Sequence, residues 1–219
     1  MKYRQSPKLK FVFLLFNTFA LYFFVLLAQI EAADHTSNHG DPSQSILQEL
    51  GLLKAPYLTV QYYSVKGETP AAIREELNKS GPVDLSGFRR DAFVQWYIRW
   101  NWPSRSDGRP DFSRTMLSCN IKLFFPSWQP VGEPSQELRD KWLKFIRALA
   151  SHEKVHIDNI IGNLTLISAA INWAFKNLLN LDASTANQIA GAVLAYMREQ
   201  DKIFDRLTKH GLTQGVKFP

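Results

Sequence analysis

The sequence has little cysteine and no repeated or strongly biased segment outside its N-terminus. Its single cysteine, Cys119, excludes a disulfide framework within the 219-residue chain. No similarity recurs at a period of about 20 to 50 residues, which excludes a solenoid or a propeller. With 45% hydrophobic and 21% charged residues, the chain is too apolar for the disordered class. The length suits one ordinary domain, with at most an appendage.

The positive charge of the chain is concentrated at its N-terminus. Of 26 Lys and Arg residues against 20 Asp and Glu residues, four basic residues and one acidic residue fall within residues 1–33, which leaves 22 against 19 in the rest of the chain. No run of Lys and Arg interleaves with aromatic residues. We therefore expect no nucleic-acid partner, because the electrostatic pattern that such binding needs is missing.

An uncharged apolar run, residues 11–28, follows the basic stretch. A basic start, an apolar run and small residues after it are typical of a secretory signal peptide, and the run is also long enough to span a bilayer as an uncleaved anchor. We expect residues 1–33 to be a signal peptide or an N-terminal membrane anchor. The rest of the chain is then exported, either periplasmic or secreted, or held at the inner membrane by residues 11–28, and no other part of it meets a membrane.

The remaining sequence predicts a linker over residues 34–51, which begin polar and rich in turn formers, and a folded domain over residues 52–219. Strand patterns come first, at residues 57–65, 91–102 and 115–125, with a short helix after Pro70 between the first two. Two long helices follow. One runs from Ser135 to about Leu179, with a kink or break expected at Gly162, and the other from near Asp182 or Ser184 to Lys209–His210. This order predicts an α+β fold, with a small antiparallel sheet packed on long helices.

The motif with the clearest chemistry is His-Glu-Lys-Val-His, residues 152–156, on the first long helix. Residues four apart lie on one helical face, so the imidazoles of His152 and His156 can reach one Zn²⁺ ion. Glu153 between them is placed to take a proton from metal-activated water, as a general base. The alternative is that both histidines are core residues with hydrogen-bond partners, since they continue an apolar stripe. We favour a zinc site on a zincin-like active-site helix.

A catalytic zinc usually has three protein ligands and one open position, so a third ligand is needed. A histidine six residues after His156 is absent, because position 162 is Gly. The second long helix and its end offer other donors. We favour His210, because neutral imidazole suits zinc, and keep Asp205 and then Glu199 as the alternative ligand or as a residue that orients an imidazole.

Aromatic residues crowd the second predicted strand, namely Trp96, Tyr97, Trp100 and Trp102. Such residues usually form the core of a sheet, which is our expectation, although they could also present a platform for a sugar or a peptide. An edge strand beside the zinc helix would offer a groove for an extended peptide.

Several segments resemble a bacterial family of uncharacterised proteins described as predicted secreted zinc-dependent proteases. The similar segments cover the predicted domain in order: YYSVKGETPAAIREELNKSGP (62–82), FRRDAFVQWYIRWNW (88–102), LFFPSW (123–128), SHEKVHID (151–158) and FDRLTKHGLTQGVKFP (204–219). The resemblance implies that His152 and His156 are ligands and Glu153 the base. It also singles out a second block: Asp205, Thr208, His210, Gly211, Gln214 and Gly215. It further implies a second cysteine in the helical half, which is missing here, so Cys119 has no partner.

Taken together, these features predict an exported zinc-dependent peptidase that hydrolyses a peptide or protein substrate of the cell envelope. Two alternatives stay open. One is a zinc amidase that acts on peptidoglycan. The other is a non-catalytic envelope binding module, with the aromatic strand as its surface and a structural zinc that has four protein ligands.

Overall fold

A computed structural model describes residues 42–84 and 86–218. The predicted signal or anchor segment, residues 1–33, lies outside the described residues, as do residues 34–41 of the predicted linker. Within the described ranges, no helix combines the length and the hydropathy that crossing a bilayer requires.

The three strands form one mixed sheet: β1 (Leu58–Val65), β2 (Phe93–Asn101) and β3 (Met116–Trp128). The order is β1-β3-β2, with β1 parallel and β2 antiparallel to β3. The prediction of an antiparallel sheet therefore holds for β2 and β3 alone. β1 is parallel to β3 because of the connection after β1, which carries the chain through α2 (Pro70–Ser80) to the far edge of the sheet. The hairpin from β2 then brings β3 back into the centre.

The helical half confirms the predicted α+β class. Helix α3 runs from Gln136 to Asn177 and continues without interruption through Gly162, while α4 runs from Ala183 to Thr208. Both begin where the sequence predicts a helix start, and each start has a side-chain cap: Ser135 accepts a hydrogen bond from the Leu138 amide, and Asp182 accepts one from the Thr185 amide. The two helices pack against each other, and α3 lies against the sheet.

Residues 42–49 correct the predicted linker, because they form a further helix, α1 (Pro42–Glu49). Ile46 and Leu47 are fully buried, and Glu49 forms a 2.6 Å ion pair with Arg147 of α3. The sequence of this segment is polar on average, and its buried residues are the polar Ser43 and the two adjacent apolar residues. The folded part therefore begins at least ten residues before Leu52.

The C-terminal segment is fixed to the core by Phe218. Its ring centroid lies 5.7 Å from that of Trp142 and 5.4 Å from that of Phe145, both on α3. Val216 is buried as well. Because this segment follows directly on α4, its anchoring holds the turn at the end of α4 against the middle of α3, where the predicted motif lies.

Candidate metal centre

The motif histidines lie on the buried face of α3, as the helical spacing predicts. His152, Glu153 and His156 are all buried. On the facing helix, Asp201 and Asp205 are also four residues apart, and therefore share one face of α4. The two faces meet, so that a pair of imidazoles lies opposite a pair of carboxylates.

One oxygen of Asp205 lies at the centre of this arrangement. Its Oδ1 is 3.2 Å from Nε2 of His152 and 3.1 Å from Nε2 of His156. Ligand atoms of a tetrahedral zinc are roughly 3.3 Å apart, given bonds of about 2.0–2.1 Å. His152, His156 and Asp205 thus form a group that could hold a metal ion, with ligand atoms within 4.8 Å of one another.

The other nitrogen of each imidazole has a partner behind it. Nδ1 of His152 is 2.8 Å from Oε1 of Gln214, and Nδ1 of His156 is 3.2 Å from Oδ1 of Asp201. The amide of Asn159 donates to the same Asp201 oxygen over 2.8 Å. In a neutral imidazole that donates from Nδ1 to these acceptors, the Nε2 lone pair faces Asp205. This is the usual arrangement around histidines that bind a metal.

The carboxylates of the group favour a positive charge at its centre. Burial alone would lower the pKa of His156, but the carboxylates of Asp201 and Asp205 outweigh burial and raise it to about 10. Burial alone would raise the pKa of Asp205, but the two imidazoles outweigh burial and hold it well below its usual range. Without a metal, a proton on His156 supplies the charge. A divalent cation could replace that proton and be shared by all three ligand atoms.

Glu153 differs from the acidic residues around it. Among the described residues, no side chain or amide donates a hydrogen bond to its carboxylate, and burial raises its pKa. Glu153 lines a cleft of about 700 Å³ together with His152, His156 and Asp205. The Glu153 carboxyl lines a cleft beside potential metal ligands, and burial raises its pKa. Such a carboxyl is suited to exchanging a proton with a molecule in the cleft.

Edge strand β2 forms the opposite wall of the cleft, from Phe93 to Ile98. The cleft continues along α4 and ends at the turn after it. The expectation of an aromatic sheet core is only partly met on this strand, since Tyr97 is 59% exposed and Trp96 is half-buried. Trp100 donates from its indole N–H to the side chain of Asn187 on α4 over 2.8 Å.

The turn after α4 explains why His210, our favoured third ligand, is not in the group. Lys209 and His210 both have left-handed backbone conformations, with φ of 51° and 53°, and Gly211 follows with φ of 80°. The turn directs His210 to the rim, where it is 56% exposed and its Nδ1 lies 3.5 Å from Oδ2 of Asp205. Asp205, the alternative, takes the third position instead. Glu199 lies away from the group and pairs with Arg206.

Gly211 allows this turn to approach the centre. A Cβ at this position would lie 2.5 Å from Cγ2 of Val216 and 3.2 Å from Cγ of His152, and its φ disfavours other residues. The Gly211 amide also donates to the Thr208 hydroxyl over 3.2 Å. The resemblance had singled out this block, including Gln214. Two residues beside the imidazoles were missed by the sequence analysis. Asn159 donates to Asp201 behind His156, and the ring centroid of Phe204 lies 4.9 Å from that of His152.

Comparison with known proteins gives a family and nothing beyond it. No curated protein and no solved structure matches the chain. One family model matches residues 60–211, which contain both imidazoles, Glu153 and Asp205, together with the two long helices and all of the sheet except the first two residues of β1. The chain belongs to the family described as "Bacterial protein of unknown function (DUF922)".

Proposed function

We propose that the chain is a zinc-dependent peptidase whose general base is Glu153. The observation that carries this proposal is the convergence of Nε2 of His152, Nε2 of His156 and Oδ1 of Asp205 beside a buried carboxyl, in an open cleft. Two imidazoles and a carboxylate are a ligand set that suits zinc. When bound, zinc would polarise the scissile carbonyl and lower the pKa of a water molecule.

The residues of the chain then have separate roles. His152, His156 and Asp205 hold the metal, while Gln214 and Asp201 keep the imidazoles in orientation from behind. Glu153 accepts the proton of the attacking water and passes it to the leaving amine. Its raised pKa favours the first transfer, because a more basic carboxylate takes a proton from water more readily, and the leaving amine is basic enough to take that proton afterwards.

The position of β2 at the edge of the sheet supports a peptide as the substrate. Among the described residues, β2 pairs with β3 on one side only, and its residues 93–98 line the same cleft as Glu153 and the two histidines. An extended peptide could therefore add to this edge through its backbone, which would place a peptide bond close to Glu153.

The two alternatives make different demands on the same site. A structural zinc in a binding module requires a fourth protein ligand, and His210, 3.5 Å from Asp205, is the closest further candidate. A peptidoglycan amidase would use the same residues on a different substrate. We favour the peptidase, because the group has three members and opens onto the cleft.

We also propose that the enzyme is exported, which N-terminal sequencing of the mature protein and cell fractionation would test.

Replacing the base tests the proposal. Zinc-loaded wild-type protein and a Glu153→Gln variant should be incubated with a mixed peptide library and with peptidoglycan, and the products identified by mass spectrometry. We expect peptide cleavage by the wild type and a loss of about 10²- to 10⁴-fold in kcat/KM with Glu153→Gln at unchanged zinc content. Glu137→Gln, on the exposed start of α3, is the matched control. Full activity of zinc-loaded Glu153→Gln would contradict the proposal.

A further inference from the structure

The α4 wall of the cleft carries a row of cations. Arg198, Lys202 and Lys209 line the cleft together with Asp205. Their spacings of four, three and four residues place all four on one face of α4 and its C-terminal cap. The potential ligand Asp205 therefore lies within a line of positive side chains, all facing the space where a substrate would bind.

The acidic groups of the cleft do not neutralise this row. Asp84 pairs with Arg90 over 2.8 Å, and Asp91 pairs with Arg74. Asp201 and Asp205 face the motif histidines, and Glu153 is buried. Within residues 42–84 and 86–218, no carboxylate lies within ion-pair distance of Arg198, Lys202 or Lys209. A divalent metal at the candidate centre would add further positive charge to the same wall.

Arg198 is also held in place. Its guanidinium carbon lies 5.2 Å from the ring centroid of Trp96 on β2, so the side chain reaches across the cleft and stacks on the opposite wall. This contact restricts a long side chain and leaves its N–H groups without a carboxylate partner. A pre-ordered guanidinium of this kind is well suited to binding a carboxylate through two hydrogen bonds.

The spacing along α4 relates these cations to the candidate centre. At about 1.5 Å per residue, Lys202 precedes Asp205 by roughly 4.5 Å along the helix axis and Arg198 by roughly 10.5 Å. An extended peptide advances about 3.3 Å per residue. We propose that Lys202 and Arg198 form an anion subsite for substrate carboxylates about one and three residues from the scissile bond. This inference rests on the proposed peptidase function, and names acidic peptides as its substrate class.

Binding to an inactive protein tests the subsite apart from hydrolysis. The probes are acetylated, amidated alanine heptapeptides with two glutamates, two glutamines or two lysines at positions one and three residues from the centre. A fourth probe is the glutamine peptide with a free C-terminal carboxylate. Dissociation constants are measured by calorimetry on the zinc-loaded Glu153→Gln protein, alone and with Arg198→Gln, Lys202→Gln or both. Arg206→Gln is the matched control, because Arg206 is an exposed residue of α4 outside the cleft.

We expect the glutamate peptide to bind about five- to tenfold more tightly than the glutamine peptide, with the preference shrinking at high salt. The double variant should lose this preference, and Arg206→Gln should keep it. An equal gain by the free-carboxylate peptide would identify the C-terminal carboxylate as the natural group at the subsite. Equal affinities for glutamate and glutamine, or a preference that survives the double variant, would overturn the proposal.

Cleavage of the same peptides by the wild type separates the two proposals. If no peptide is cleaved while the preference that depends on Arg198 and Lys202 persists, the subsite stands and the peptidase proposal fails. If all peptides are cleaved at equal rates and bound with equal affinity, the peptidase proposal stands and the subsite fails.

Discussion

Replacing Asp205 by Ala removes the oxygen that lies 3.2 Å and 3.1 Å from the two motif imidazoles. Structural zinc sites with four protein ligands bind zinc with about 10–16 kcal/mol, so one ligand contributes roughly 2.5–4 kcal/mol on average. Because about 1.4 kcal/mol corresponds to a tenfold change in Kd, Asp205→Ala should weaken zinc binding on the order of 10²- to 10³-fold. His210 is 56% exposed and 3.5 Å from Asp205, so His210→Ala should cost less than about tenfold.

Competition against a chromophoric zinc chelator at constant pH measures both effects. Near-UV circular dichroism of each metal-free variant controls for folding, and Asp205→Asn repeats the test with a side chain of the same shape. The reasoning is refuted if His210→Ala weakens zinc binding more than Asp205→Ala does, since the third ligand would then be the imidazole at the rim.

The remaining predictions concern the protonation of His156, the orientation of its imidazole and the packing of the hydrophobic core. The pKa of His156 is raised to about 10, so the metal-free protein is stabilised below the ordinary value of about 6.5 and loses that stabilisation as the pH rises through about 10. Zinc displaces the same proton, so its apparent affinity should rise about tenfold per unit between about pH 7 and 9 in chelator competition at each pH. Asp201→Asn should weaken zinc binding by about 10- to 100-fold in isothermal calorimetry, because it removes the charge behind Nδ1 of His156. Leu47→Ala should lower the free energy of unfolding in urea by about 2–4 kcal/mol, whereas the exposed Gln48→Ala should change it by less than about 0.5 kcal/mol.

The helical motif could be predicted from the sequence because its geometry is local. A spacing of four residues on a helix places His152 and His156 on one face whatever packs against it. The starts of the two long helices, predicted at Ser135 and near Asp182, are local signals as well, and both residues cap their helices in the structure. For these features, one helix contains all the information that the prediction needs.

The third member of the group could not be chosen in the same way. Asp205 and His210 are five residues apart, and both lie close to the predicted helix end. What separates them is the left-handed backbone at Lys209 and His210, which ends α4 and directs the imidazole to the rim. Left-handed conformations at residues other than glycine are stabilised by tertiary contacts, and the sequence of the turn alone does not indicate them.

The sequence analysis predicted a linker where α1 lies and an antiparallel sheet where β1 is parallel to β3. Both predictions were wrong for a related reason. Ile46 and Leu47 are the buried apolar residues of α1, and two adjacent apolar residues give no helical period. The third buried residue, Ser43, is polar and adds nothing to an apolar pattern. The parallel pairing of β1 with β3 depends on where the chain returns after β2, which the strand patterns do not encode. Both features are set by contacts between segments that are far apart in sequence.

The most direct test of the account is an anomalous difference map, recorded at the zinc absorption edge from crystals of the zinc-loaded protein. The account predicts one peak within about 2.0–2.2 Å of Nε2 of His152, Nε2 of His156 and a carboxylate oxygen of Asp205, with an open position toward Glu153 and the cleft. A peak that also has His210 as a fourth protein ligand, or no peak between α3 and α4, would contradict the catalytic centre described here.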